Sequence, residues 1–126
     1  MTDPLAQVRI DLRNGARIVL ANGLHQRAFY NYDQVQAEDI PPGKACVCGV
    51  GGLNTGITGH PIPDDFLTNP RISAALAHLI AYMMAFYATT FISWNDEEGR
   101  TTAEVARLLR KAAAWTPPTA VLAVTV

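Results

Sequence analysis

Charge is what this chain has least of. Asp, Glu, Lys and Arg make up 17% of its 126 residues, where a soluble domain usually has about a quarter. The net charge is -1. That near balance excludes a general nucleic-acid coat or a polyanionic tail, because both work through summed long-range potential. Cysteine is almost as scarce. Cys46 and Cys48 are the two in the chain, too few for a disulfide scaffold, and no basic-then-apolar leader opens the sequence, so a reducing, cytoplasmic setting is expected. The length gives one domain with a modest core and leaves no room for two.

The deficit is local. Residues 45–63, 72–95 and 112–126 carry no Asp, Glu, Lys or Arg, and the rest of the chain is ordinarily charged. Residues 72–94 outrun the roughly 20 apolar residues that cross a bilayer. Their content argues otherwise: His78 lies inside the run, Ser73, Thr89, Thr90 and Ser93 add hydroxyls, and alanine supplies much of the remainder. Arg71 on one side and Asp96, Glu97 and Glu98 on the other give no basic cluster to orient a span. The run reads as a helix enclosed by protein, with no membrane partner.

Local patterning sets the elements. Asp3-Pro4 reads as an N-cap followed by a first-turn proline, Leu5, Val8, Leu12, Ala16 and Val19 recur at helical spacing, and Asn22-Gly23 stops the helix. A hairpin turning at Asn14-Gly15 is the rival. Helix is preferred because Arg9, Arg13 and Arg17 share one face and residues 18–21 break strand alternation. Residues 24–44 form a packed, irregular connection, and residues 45–53 are too glycine-rich for a helix stable on its own, although a short buried one fits. Asn69-Pro70 opens a helix to about Tyr87 or Ala88, expected to be the central buried element and to fray over residues 89–92. Thr101-Thr102-Ala103-Glu104 is a capping box, and Val105, Leu108, Leu109 and Ala112 form the buried stripe of the last helix. The expected fold is a mostly α, compact single-domain bundle over residues 1–118, with a central buried helix, a long irregular glycine-rich connection, and residues 119–126 as a tail or an edge strand.

The stretch Trp94-Asn95-Asp96-Glu97-Glu98-Gly99-Arg100-Thr101-Thr102-Ala103-Glu104-Val105 resembles the C-terminal signature of a family of small actinobacterial and actinophage proteins of unknown function. Residues 12–23 resemble the family's first helix, and Ala45-Cys46-Val47-Cys48-Gly49 its central motif. Residues 51–56 depart from the pattern where an alanine-rich turn is expected. The resemblance implies a compact helical domain and an actinobacterial or actinophage source, and brings no activity.

Motifs for chemistry are incomplete. Gly49-Val50-Gly51 lacks the third glycine of a dinucleotide loop, and Gly51 to Gly56 is followed by Ile57-Thr58 where a phosphate loop has lysine and a hydroxyl residue. No cofactor is implied. Cys46 and Cys48 with distant His60 and His78 lack the paired spacing of zinc modules, so no metal is expected. As reactive thiols, Cys46 or Cys48 would need a base, and His60 is the candidate. Residues 95–100 are read mainly as a structural turn: Asn95 or Asp96 bonds backbone amides, Gly99 takes a positive φ, and Arg100 pairs with Asp96 or a carbonyl. Trp94, Asn95, Asp96 and Arg100 are the candidate contacts for a ligand or partner. Arg9, Arg13 and Arg17 could meet a few phosphates, although nucleic acid is disfavoured by the acids around them, and Met83-Met84 reads as core. The reading reached is a non-enzymatic accessory or host-interaction protein that binds a protein partner or a second copy of itself. A small cysteine-dependent hydrolase or transferase is the alternative, and weak nucleic-acid binding through the arginine face the third.

Overall fold

The computed structural model describes residues 3–62 and 68–118, and it is mostly helical. The order is α1 (Ala6–Asn22), α2 (Tyr32–Gln36), a 3-10 turn (Pro42–Lys44), α3 (Gly49–Thr58), α4 (Pro70–Phe86), α5 (Phe91–Asn95) and α6 (Thr102–Ala114). Among the described residues the sole sheet-like pairing is at Val47, which bridges Leu24 on one side and Tyr30 on the other. The alternatives for residues 119–126 fall outside the described residues.

Expected local signals recur as geometry. Asn69 Oδ1 accepts from the amides of Arg71 and Ile72 and starts α4 at Pro70, the arrangement that satisfies orphan amide donors in a first turn. Both halves of the Thr101–Glu104 capping box form. The first helix begins two residues later than its proline suggests: Asp3 Oδ1 accepts from the Leu5 amide in a preceding turn, and α1 opens at Ala6. Residues 89–92 do not merely fray. Thr90 caps a new short helix, α5, by accepting from the Ser93 amide.

The most deeply buried helix is α3, not α4, and it lies against α1, on which α4 and α6 also pack. Seven of its residues, from Gly49 through Thr55, are buried, whereas α4 buries one face through Ile72, Ala75, His78, Leu79, Tyr82 and Met83 and exposes the other. Glycine disfavours a helix by about 1 kcal/mol relative to alanine, so α3 depends on what its missing side chains allow. A Cβ added at Gly15 of α1 would lie 3.1 Å from the Leu53 Cα, and one at Gly52 would lie 2.9 Å from the Gly15 carbonyl oxygen. The two backbones therefore touch, and Val19, Val47, Leu53 and Leu12 close around the crossing with 0% exposure. Completing the core, α6 packs on α1 through Val105, Leu108, Leu109 and Ala112.

Two charged side chains lock the periphery to α1. Asp11, 1% exposed, accepts two hydrogen bonds from the Arg71 guanidinium, at 2.6 and 3.2 Å, and one from Gln7. Arg9 donates to the carbonyls of Ala113 and Trp115 at 2.7 and 2.9 Å, satisfying orphan acceptors at the end of α6.

Candidate functional site

The segment from α5 to the start of α6 brings together Trp94, Asn95, Asp96 and Arg100, and each has a defined structural task. Asn95 is buried; its Oδ1 accepts from the Gly49 amide at 3.0 Å, capping the first turn of α3, and its Nδ2 donates to Asp96 Oδ1 at 3.1 Å. Asp96 Oδ1 also accepts from the Arg27 amide at 2.9 Å, holding a residue whose φ is 71°. Gln26 Nε2 donates to the carbonyls of Asn95 and Glu97. The connection after α1, the head of α3 and the end of α5 thus meet at one polar knot inside an apolar fold.

Arg100 lies on the other side of this segment. It does not pair with Asp96. Its Cζ sits 3.8 Å from the centre of the Trp94 ring, its Nε donates to the Trp94 carbonyl at 2.9 Å, and its two terminal nitrogens pair with Glu97 and Glu104. The planar guanidinium can stack and form these bonds at once, which a lysine could not. Gly99 takes φ 84°, the left-handed turn expected of it. Hydrogen bonds from the Thr101 amide and hydroxyl, with Arg100 nearby, lower the pKa of Glu104.

Two concavities flank the knot. One, of about 160 Å³, is lined mostly by apolar side chains and reaches Cys48, Asn95 and Asp96. The other, a groove of about 240 Å³, is lined by the rings of Tyr87 and Trp94 and by Arg100, Glu104, Arg107 and Lys111. Arg107 and Lys111 form no ion pair among the described residues.

The two thiols sit in different settings. Cys48 is the N-cap of α3, its Sγ accepting from the Gly51 amide at 3.3 Å, and burial pushes its pKa up, which keeps it a protonated, weak nucleophile. Cys46 Sγ donates to the Asn22 carbonyl at 3.1 Å. His60 follows the opposite end of α3, and ten residues at 1.5 Å rise place roughly 15 Å of helix between it and Cys48. Cys48 and His60 are therefore not brought together. No cluster of three or more His, Cys, Asp or Glu suited to a metal occurs among the described residues.

The arginine face is also broken up. Arg9 is bound to Asp3, Thr116 and the end of α6, so Arg13 and Arg17 alone of the three face solvent, and Arg17 bonds Asn14. Apolar exposure on the long uncharged run stands out instead. Ile80, Met84, Phe86 and Tyr87 of α4 and its C-cap are 61%, 65%, 59% and 41% exposed. Met83 is core as expected, but Met84 is not. The sequence left the exposed face open because α4 carries no charge after Arg71 and is apolar around most of its circumference, so its periodicity does not choose a side.

Residues 3–114 match a family described as a family of unknown function (DUF6197). The chain belongs to that family. The match covers α1 through α6, including the knot and both concavities. No curated protein and no solved structure matches the chain. No helix among the described residues is long and apolar enough to cross a membrane.

Proposed function

We propose that the chain is a non-enzymatic binding protein that docks a protein partner against the outer face of α4. The exposed apolar row on that helix carries the reading. Ala77, Ile80 and Met84 are exposed at steps of three and four residues, and an exposed apolar patch of this kind marks an interaction surface. The groove beside it states the partner's chemistry. Arg107 and Lys111, next to Tyr87, call for carboxylates at the rim of an otherwise apolar partner surface. The reading places the protein in the cytoplasm of an actinobacterium or one infected by its phage. That setting is supported by the resemblance of residues 94–105 and by two free thiols, which suit a reducing compartment.

Affinity capture from an actinobacterial lysate, with the captured protein identified and then purified, tests the reading. Binding of that protein to the parent chain should fall at least tenfold in Met84→Glu and in the Arg107→Glu, Lys111→Glu double variant, with helicity retained in both. It should also weaken with salt for the parent and not for the double variant. A captured protein that binds Met84→Glu as tightly as the parent overturns the proposal. Sedimentation of the parent alone tests a second copy as the occupant: a dimer dissolved by Met84→Glu replaces the foreign partner.

A further inference from the structure

We propose that the cavity at Cys48 and Asp96 is a binding site for a small, neutral aromatic molecule carrying one hydrogen-bond donor. Three segments wall it: Ala28 and Phe29 from the connection after α1, Cys48 at the head of α3, and Phe91, Ile92 and Asp96 from α5 and its end. Its volume of about 160 Å³ is close to that of a roughly 150 Å³ apolar cavity that admits benzene, and it opens to solvent on one side. The walls are tied to one another by hydrogen bonds from three backbone amides, one to a carbonyl and two to side-chain oxygens. The Cys48 amide donates to the Phe29 carbonyl at 3.1 Å, the Arg27 amide to Asp96, and the Gly49 amide to Asn95. The Phe91 ring is seated against the Gly49 backbone, its Cζ 2.3 Å from where a Cβ would stand. A ring fixed there lines the space instead of filling it.

The polar groups select the ligand. Cys48 Sγ already accepts from the Gly51 amide, and Asp96 Oδ1 accepts two hydrogen bonds. Asp96 Oδ2 accepts none among the described residues, which leaves one strong acceptor on an apolar wall. Arg27, exposed, also borders the cavity, so the lining carries one charge of each sign and exerts no net pull on a charged ligand, which suits a neutral phenol or indole. The aromatic body takes the apolar walls and the donor meets Asp96.

Fluorine NMR titration of the full chain with fluorobenzene and with 4-fluorophenol tests this. Both should show a saturable shift, 4-fluorophenol binding about tenfold more tightly through its charge-assisted hydrogen bond. Ala28→Leu, which fills the cavity from its loop wall, should abolish both shifts while the unfolding midpoint holds or rises. Asp96→Asn keeps one oxygen for the Arg27 amide and turns the free acceptor into an amide, so it should equalise the two ligands. No saturable shift for either ligand, or undiminished binding to Ala28→Leu, overturns the site; equal affinity of the two ligands for the parent overturns the role of Asp96. Should Asp96→Asn fail to fold, Ala28→Leu and the comparison of the two ligands decide by themselves.

Discussion

Replacing Asn95 by alanine should be among the most damaging changes outside the apolar core, and its cost follows from three pieces of the geometry. The Gly49 amide, buried at the head of α3, loses its acceptor at 3.0 Å, and a buried donor left unsatisfied costs about 1–3 kcal/mol. The side chain itself is 1% exposed, so truncation leaves a void of roughly 30 Å³, adding a little under 1 kcal/mol at about 24 cal/mol per Å³. Loss of the bond to Asp96 costs less, because Asp96 is only half-buried and keeps the Arg27 amide. The sum is about 3 kcal/mol, a large share of the roughly 5–15 kcal/mol that holds a domain folded. Urea unfolding followed by the fluorescence of Trp94 and Trp115, with far-ultraviolet dichroism as a second probe, measures it. Asn95→Asp sharpens the assay. The new carboxyl group keeps an acceptor for Gly49 but faces Asp96 across the 3.1 Å contact, which raises its pKa in the folded state. The folded chain then holds an extra proton between the unfolded carboxyl pKa, near 4, and the raised folded value. Stability should accordingly fall as pH rises through that folded value. A midpoint for Asn95→Ala within 0.5 kcal/mol of the parent, a threshold of about the size expected for an unremarkable surface change, would refute the capping argument.

Two glycines of α3 should respond to alanine with opposite signs. At Gly51 a Cβ would fall 1.9 Å from the Phe29 carbonyl oxygen, forcing backbone apart and breaking the bond from the Cys48 amide, so overpacking of about 1–3 kcal/mol and a lost hydrogen bond outweigh the roughly 1 kcal/mol helix gain. At Gly56 the nearest atom is Asn14 Cβ at 3.3 Å, and the substitution should be neutral or stabilising by up to about 1 kcal/mol; paired denaturation curves shifting the same way would contradict the packing. Acid should weaken the fold through His78. Its Nε2 lies 2.7 Å from the Ala112 carbonyl oxygen and therefore carries hydrogen as the donor, and burial lowers its pKa from the ordinary value near 6.5. Below that value the unfolded chain binds more protons than the folded one, so stability falls as pH falls, by at most about 1.4 kcal/mol per pH unit from this group. Urea midpoints from pH 8 to 5 should slope less in His78→Gln than in the parent, and identical profiles would remove His78 as the cause.

How legible each part was depends on the range of the interaction that fixes it. The start of α4 at Asn69-Pro70, the Thr101–Glu104 capping box, the buried stripe of α6 and the turn at Gly99 are decided within four or five residues, and each appears where the sequence put it. The candidate contacts Trp94, Asn95, Asp96 and Arg100 were also found in the sequence, from a turn rich in capping residues. So was the bonding of Asn95 or Asp96 to backbone amides and of Arg100 to a carbonyl; which groups they meet was not. The partners of Asn95 and Asp96 lie at Gly49 and Arg27, separated by 46 and 69 residues, and no local rule reaches so far. The same holds for Arg9, whose face promised phosphate contacts until the end of α6 arrived 104 residues later in the chain.

The sequence by itself determined that this protein is a single helical domain with a charge-poor interior, because helical periodicity, caps and the clustering of charge act over a few residues. Only the tertiary structure decided that the glycine-rich segment is the most deeply buried helix and the long apolar one lies partly outside. Glycine disfavours a helix locally, and what reverses that preference is the close approach of α1, an interaction no residue of α3 carries alone. A helix apolar on most of its circumference, likewise, has no local signal for which face is covered, and in α4 the neighbours alone settle that Met83 is buried and Met84 exposed.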